Sequence, residues 1–230
     1  FKDKPRSAYY VNELLRDARR RSAAPETRIY NFGILNYSKT IDPVATLLRF
    51  NKKGIEVAGS ALFSGDKMVG EIDVDQTILL NTLMGEKGRF EYIYREHTPD
   101  EGGALVKKGA ALLVKNSKRR IKINTGGDVP VIDIMLDFRS TLEEHTGDGN
   151  LDEPESKKKL EEAIAVSVQA DSLKLLEYLQ DIGSDPIGFG ELLRANHDEY
   201  WKMVNWKEVY KDAVFMVDAK INIETYGTTK

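Results

Sequence analysis

The chain has 230 residues, of which 41% are hydrophobic and 31% are charged, so it can bury a core in one large domain or two modest ones. Its net charge of -3 argues against a protein that coats nucleic acid, because such proteins normally carry a basic excess. The absence of cysteine excludes thiol catalysis, disulfide bonds and cysteine-ligated zinc. The basic runs RDARRRS (16–22) and NSKRRIK (116–122) could form nucleic-acid-binding patches, but a solvated helix end and a hairpin tip are the preferred interpretation, and no nucleic-acid partner is expected.

The first elements are predicted from apolar spacing. The segment AYYVNELLRDARRR (8–21) predicts a helix capped by Ser7, with an apolar stripe of Val11, Leu14, Leu15 and Ala18. A stretch rich in β-forming residues follows and is interrupted by Pro43. Because the chain opens with FKDKPRS, without an initiator Met or the apolar region of a signal peptide, we expect it to be a piece of a longer protein.

A β-hairpin is the clearest early prediction. In GIEVAGSALFSGDKMVGEID (54–73) two apolar segments flank Ser64-Gly65-Asp66-Lys67. The Gly-Asp pair is able to take the positive φ of a tight turn. Two strands joined at this turn are therefore expected.

A helix and a domain boundary are predicted after the hairpin. Asp73 lies three residues before Gln76, in the spacing of a capping box, which predicts a helix over VDQTILLNTLM that ends at Gly85. The segment GEKG that begins at Gly85 is the predicted boundary between two domains. A smaller α+β domain would occupy residues 1–87 and a C-terminal α+β domain would occupy residues 88–230.

Beyond this boundary the pattern favours antiparallel strands. AALLVKNSKRRIKIN (110–124) predicts a hairpin that turns at Asn116-Ser117, with bulges able to shift its register. VIDIMLDFR (131–139) alternates with period two, and so does the final strand, which is predicted over 213–226. One apolar face and one wet face on each strand predict half-buried antiparallel strands.

A long helix is predicted between those strands, over residues 154–182. Asp152 would be its cap, Pro154 fits its first turn and Gly183 is the stop signal. Its apolar residues recur every three, four or seven positions, so that one stripe can lie across a sheet. The predicted fold class is α+β: two small domains of mostly antiparallel or mixed sheet with packed helices, the second carrying the long helix across its sheet.

The segment SDPIGFGELLRANHDEYWKMVNW (184–206) admits two interpretations. Gly188-Phe189-Gly190 ahead of a helix could begin a phosphate-binding loop, which would make the chain a nucleotide enzyme. A dinucleotide fingerprint, however, needs a buried parallel strand before its glycines, and a third glycine where this chain has Leu193. A long helix precedes Gly188 and no Lys-Ser/Thr pair follows, so nucleotide binding is rejected and no cofactor is expected.

The other interpretation is a structural corner between two helices. Asp185 can cap or brace the turn, and Pro186 prevents the preceding helix from continuing. Two glycines allow close backbone approach around a buried Phe189, and two tryptophans are expected to anchor the core. We name this motif the Asp185 corner and define it by Asp185, Pro186, Gly188, Phe189, Gly190, Arg194, Trp201 and Trp206.

No catalytic or metal-binding set can be assembled from the sequence. The histidines have no ligand spacing between any two; they are His97, His145 and His197. DGNLDEPE (148–155) starts like a calcium loop, but Glu153 stands where glycine is needed and Lys159 where the bidentate glutamate should be. Asp133 and Asp137 share a strand face roughly 13 Å apart, beyond the roughly 5 to 9.5 Å of glycosidase carboxylates. Carboxylates that meet from different strands remain open.

Two segments resemble the Ger(x)C family of spore germination proteins. GSALFSGDKMVGEID (59–73) is similar to a family hairpin, and the stretch 184–227 is similar to the family's C-terminal signature. That signature is an Asp-Pro/Phe-x-Gly-Phe-Gly corner, an Arg-bearing helix with a Trp, a Trp-x-x-x-Tyr/Phe and an alternating strand that ends in Gly. The matching positions are Asp185, Gly188, Phe189, Gly190, Arg194, Trp201, Trp206, Tyr210 and Gly227.

The resemblance implies a non-enzymatic C subunit of a nutrient germinant receptor. Such subunits are lipoproteins, held at the extracytoplasmic face of the spore inner membrane by an acylated N-terminal Cys, and they work beside two integral-membrane subunits, A and B. This chain would contain the last two of several small α+β domains, without the anchored region. The family offers no catalytic residue to carry over. The alternative from a different class is an extracytoplasmic hydrolase or a carbohydrate- or peptidoglycan-binding module.

Overall fold

The computed structural model describes residues 7–52, 54–99, 105–147, 151 and 153–226. In chain order the elements are α1 (Ser7–Arg20), α2 (Ile29–Asn36), β1 (Val44–Asn51), β2 (Gly54–Ser64), β3 (Lys67–Ile72), α3 (Val74–Met84), β4 (Phe90–Pro99), β5 (Leu105–Asn124), β6 (Val131–Thr146), α4 (Pro154–Asp181), α5 (Phe189–Asn196), α6 (Asp198–Met203), α7 (Trp206–Asp212) and β7 (Val214–Tyr226). The strands form one sheet in the order β1-β2-β3 and another in the order β4-β5-β6-β7. The α+β class predicted from the sequence is confirmed.

The first hairpin and the helix after it form as the local sequence predicts. β2 and β3 pair antiparallel around Gly65, whose φ is 61°. Asp73 and Gln76 make the capping box at the start of α3: the Gln76 N–H donates to Asp73 Oδ1 at 2.8 Å, and the Asp73 N–H donates to Gln76 Oε1 at 3.1 Å. α3 ends at Gly85, whose φ of 82° is left-handed.

The hairpin predicted at Asn116-Ser117 is wrong, because β5 runs through these residues as one strand. Its register against β6 skips a position between Val114 and Asn116. Before the skip Leu112 and Val114 face the core, and after it the inward positions shift to Ser117 and Ile121. A bulge changes the phase of the alternation without reversing the chain, so a turn and a bulge leave the same sequence pattern.

The final strand is also not antiparallel as expected. β7 pairs parallel to β6, with Ile132 beside Phe215 and Phe138 beside Ile221. A parallel pair requires a crossover connection, which α4 to α7 supply here. The predicted inward face of β7 is retained, since Val217, Ile221 and Ile223 are buried.

The stretch before Pro43, which is rich in β-forming residues, contains the helix α2, which is a third departure from the expectation. α2 has no buried residue, and Ile29 and Tyr37 are 95% and 87% exposed. Phe32 holds the helix to the first sheet through an edge-to-face contact with Phe63, with ring centroids 4.9 Å apart. A helix pairs its backbone groups within the segment, whereas a strand would need a neighbour.

The long helix α4 lies where the sequence predicts it. It begins at Pro154 and is followed by Gly183, whose φ of 64° is left-handed. Glu153 occupies the N-cap position without a side-chain cap; the predicted cap Asp152 lies outside the described residues. The buried side of α4 joins residues of both sheets in one continuous apolar core, and the domain division after residue 87 stays a prediction.

Candidate functional site

The centre of the Asp185 corner is a buried carboxylate that is fully hydrogen-bonded. Asp185 Oδ1 accepts the N–H groups of Gly188 at 2.8 Å and Phe189 at 3.1 Å. Oδ2 accepts the Gly190 N–H at 2.9 Å and the Trp206 indole N–H at 3.0 Å. The carboxylate thus satisfies three backbone donors ahead of and inside the first turn of α5, where a helix leaves such groups without an intrahelical partner.

A second buried aspartate ties this corner to the first sheet. The Asp42 N–H donates to the Asp185 carbonyl at 2.9 Å, and the Asp185 N–H donates to Asp42 Oδ2 at 3.0 Å. Asp42 Oδ1 accepts the N–H of Gly65 in the β2–β3 turn at 2.9 Å and lies 3.7 Å from the ammonium of Lys207. Asp42 and Asp185 therefore link the hairpin turn, the end of α4 and α7.

The two glycines of the corner are required for different reasons. Gly188 has a φ of 81°, a left-handed conformation that an L side chain rarely adopts. Gly190 does not have a positive φ; a Cβ there would lie 2.6 Å from the Trp206 indole and 2.8 Å from the Thr40 carbonyl oxygen. Gly188 is needed for its backbone conformation and Gly190 for close approach.

Burial changes the ionisation of the corner. Removal from water raises the pKa of Asp185 to about 6, while the N–H groups of Gly190, Phe189, Trp206 and Gly188 act in the opposite direction. Burial, together with the nearby carboxylates of Asp185 and Asp42, raises the pKa of Tyr210. Tyr210 therefore stays protonated and donates to the Ser184 carbonyl oxygen at 3.1 Å.

The arrangement leaves no place for a substrate. Four N–H donors occupy the two oxygens of Asp185, and the cavity beside the corner measures about 10 Å³, about the space of one water molecule. Phe189 is fully buried and Trp206 is 4% exposed. In the described residues the corner is a packing junction.

Two predicted members lie away from this junction. Arg194 is on the exposed side of α5, where its guanidinium pairs with Glu191. Trp201 is on α6 and packs against the core while partly exposed. Pro186 is buried at the corner with Phe189 and Trp206. The sequence-based motif therefore includes two residues, Arg194 and Trp201, that form no hydrogen bond with the Asp185 carboxylate.

Other residues considered from the sequence do not converge. His145 and His197 lie on β6 and after α5, and the side chain of His97 is outside the described residues, as are Asp148 and Asn150 of the calcium-like segment. Asp133 and Asp137 lie four register positions apart on β6, opposite Lys122 and Lys118 of β5. Within the described ranges no group of three or more metal-ligating side chains is present, and no helix is long and apolar enough to cross a membrane.

The junction contains residues that sequence reasoning missed. Asp42 lies 143 positions from its partner Asp185, and the Ser184 hydroxyl donates to the Phe63 carbonyl oxygen at 2.6 Å. Nothing local marks Asp42 as buried, because a single acid before a proline is also common in exposed turns. Only a pairing signal between distant positions could have found it.

Similarity to known proteins agrees with this architecture. The spore germination protein GerQC of Bacillus cereus is 26% identical over 227 residues, which cover 97% of this chain and 60% of that protein. The crystal structure of the GerBC protein matches the fold with a TM-score of 0.70 at 22% identity, covering 86% of this chain and 61% of that one. The chain spans about three-fifths of the length of both relatives.

The family assignment rests on a longer match than either segment singled out in the sequence. The protein-family model described as Spore germination B3/GerAC like, C-terminal, matches residues 58–227. This range runs from β2 through β7 and includes the whole Asp185 corner. The resemblance predicted from the hairpin and the corner is confirmed. The chain belongs to the GerAC-like family of spore germination proteins.

Proposed function

We propose that the chain is part of the C subunit of a nutrient germinant receptor and acts without catalysis, through protein–protein contacts. The observation that carries the proposal is the family match over residues 58–227. The packed Asp185 corner supports it, since this motif lies within the family segment, has its buried carboxylate fully hydrogen-bonded and has no room for a substrate. The partners would be the membrane subunits A and B.

The proposed location is the extracytoplasmic face of the spore inner membrane. Attachment would come from a lipid on the N-terminal region of the full-length protein. A single acyl chain binds a membrane only marginally, so contacts with membrane subunits or further acyl chains would complete the attachment. Membrane fractionation of spores tests this: the full-length protein should sediment with inner membrane and move to the soluble fraction when its lipid-accepting residue is replaced.

Deletion of the gene tests the function itself. The deletion strain should lose germination with particular nutrients and keep it with others, and the full-length gene should restore the response. Germination that is unchanged with every nutrient would contradict the proposal. Crosslinking in intact spores then identifies the partners, and recovery of the protein without either membrane subunit would exclude direct contact with A and B.

A further inference from the structure

We propose that β4 is a docking edge, to which an extended segment of a partner protein adds as a strand. The site is the groove between the free edge of β4 and helix α3, and we call it the β4 groove. It lies away from the Asp185 corner and does not depend on the proposed receptor function. Its occupant would be a polypeptide in the extended conformation.

The first observation is an unpaired strand edge. β4 is the outermost strand of the β4-β5-β6-β7 sheet and, among the described residues, pairs only with β5. The pairing is regular from Phe90 opposite Val114 to Pro99 opposite Leu105, without a bulge. Over the described stretch Phe90–Arg95, no backbone hydrogen bond reaches β4 from any element other than β5. Every second residue therefore directs its N–H and C=O into the groove, which is the template that an added strand uses.

The opposite edge of the same sheet is partly closed. On β7 the Ile223 N–H donates to Glu161 Oε1 of α4 at 2.8 Å, and the Lys115 ammonium bonds the hydroxyl of Thr225 at 3.4 Å. α4 also packs along β7 through its buried side. A partner strand would thus meet a partly covered edge at β7 and an open one at β4.

The second observation is a cavity beside the open edge. A space of about 260 Å³ lies between β4, α3 and α4. Its apolar lining includes Ile78, Leu79, Phe90 and Phe138. Tyr92 closes one side, with its hydroxyl 2.9 Å from Asp171 Oδ2 and 3.0 Å from Ser167 Oγ. The cavity can receive one large apolar side chain from a strand that pairs with β4, in the manner of pockets in strand-addition sites.

The third observation is a rim of charges without ion pairs. Arg95 and Lys174 line the cavity, and neither forms an ion pair with a described residue. Asp75 and Glu91 line it too and are likewise without one among those residues. Positive and negative side chains are therefore both available to a ligand. Such a rim suits a peptide with charged side chains better than a purely apolar one.

The geometry defines the chemistry of the occupant. Phe90 and Tyr92 face the core side of β4, whereas Ile93 and Arg95 face its outer side. A paired strand alternates in the same way. The occupant would therefore place a large apolar residue beside Tyr92 and an acidic residue beside Arg95, an odd number of positions apart.

A random ten-residue peptide library displayed on phage, selected against the folded 230-residue chain, tests the proposal. Enriched peptides should carry an apolar and an acidic residue at an odd separation. Bound to a synthetic copy of one such peptide, the chain should show slowed amide exchange at alternate residues of 90–95. Absence of enrichment, or protection at β7 with none at β4, would overturn the proposal.

Backbone methylation separates strand addition from side-chain capture. Two methylated versions of the selected peptide are compared, one with its odd-numbered and one with its even-numbered amide nitrogens methylated. One version should bind about tenfold more weakly or worse, and the other should bind as the unmodified peptide does. Equal affinity of the two methylated peptides, or full competition by the free apolar amino acid, would show that the cavity binds a side chain alone and would refute the docking edge.

Two variants of the chain locate the contact. Arg95→Glu is exposed and should weaken the acidic peptide about tenfold, while Arg139→Glu, an exposed arginine on β6, should not. A peptide with Lys in place of its acidic residue should prefer the Arg95→Glu chain. Ile78→Trp should fill the cavity and abolish binding, with its melting midpoint recorded beside it. Undiminished binding to Arg95→Glu would place the acidic contact elsewhere and reject the proposed register.

Discussion

The Asp185 corner and the β4 groove contain similar chemical groups but differ in whether those groups have hydrogen-bonding partners within the chain. Both combine aspartates, aromatic rings and backbone polar groups, which are buried in the corner and exposed in the groove. In the corner the two buried carboxylates accept six N–H groups, five from the backbone and one from the Trp206 indole. In the groove a row of backbone groups and four charged side chains on the rim are without a partner in the described chain.

The difference teaches how to distinguish structural from binding roles. Burying a polar group costs free energy unless it is hydrogen-bonded, so the corner can stabilise the fold only because its partners are complete. Polar groups at a solvent-exposed edge pay no such penalty, and they remain available to a partner. Mutations in the corner should therefore change stability, and mutations in the groove should change binding.

The largest effect is expected from Asp185→Ala. It leaves four N–H donors buried without an acceptor and should lower the free energy of unfolding by roughly 3–5 kcal/mol. Urea unfolding followed by tryptophan fluorescence measures it. Asp218→Ala on the exposed face of β7 is the control, and its effect should stay within about 0.5 kcal/mol. Equal urea midpoints for the two variants would show that Asp185 does not stabilise the fold.

A pH dependence follows from the same residue. The pKa of Asp185 is about 6 in the folded chain, against 3.8 for an ordinary aspartate. Between pH 3.8 and about 6 the folded chain holds a proton on Asp185 that the unfolded chain has lost. The contribution of this proton to the free energy of unfolding is therefore complete below pH 4 and decreases as the pH rises to about 6. Each unit of pKa is about 1.4 kcal/mol, so the decrease is at most about 3 kcal/mol. A ¹³C NMR titration of the carboxyl carbon should have a midpoint near 6; a midpoint below 4 contradicts the assignment.

A smaller effect is expected from Gly190→Ala. The new methyl group would meet the Trp206 indole and the Thr40 carbonyl oxygen, and the forced shift should cost about 1–3 kcal/mol. Gly33→Ala on α2 is the matched control, because no atom lies within 4 Å of its added Cβ. It should be neutral or stabilise the chain by up to about 1 kcal/mol. Thermal melting of both variants decides whether close approach, rather than the glycine itself, matters.

The smallest effect is expected in the groove. Arg95→Ala should change the free energy of unfolding by less than about 0.5 kcal/mol, since the Arg95 side chain is exposed and forms no ion pair with a described residue. Arg119→Ala is the contrast: its guanidinium donates to the Leu83 carbonyl at the end of α3, and its loss should cost about 1 kcal/mol. A large loss from Arg95→Ala would make the groove part of the stabilising structure and weaken the comparison.

Several elements could be predicted from the sequence because their signals act within a few residues. The Gly65 turn, the Asp73–Gln76 capping box and the stop at Gly85 each require only a backbone conformation and one or two nearby side chains. The apolar spacing of α4 and the alternation of β7 likewise identified the faces that the structure buries. The brace provided by Asp185 was anticipated for the same reason, since three of its donors lie within five positions.

The tertiary structure alone decided what depends on distant neighbours. It made β7 parallel to β6, turned the expected break at Asn116 into a bulge, and placed Asp42 against Asp185. It also left the β4 edge open, which no local pattern can show, because a strand reads the same whether one or two neighbours pair with it. Sequence periodicity records which side of an element is buried; which element covers it is set by packing between segments far apart in the chain.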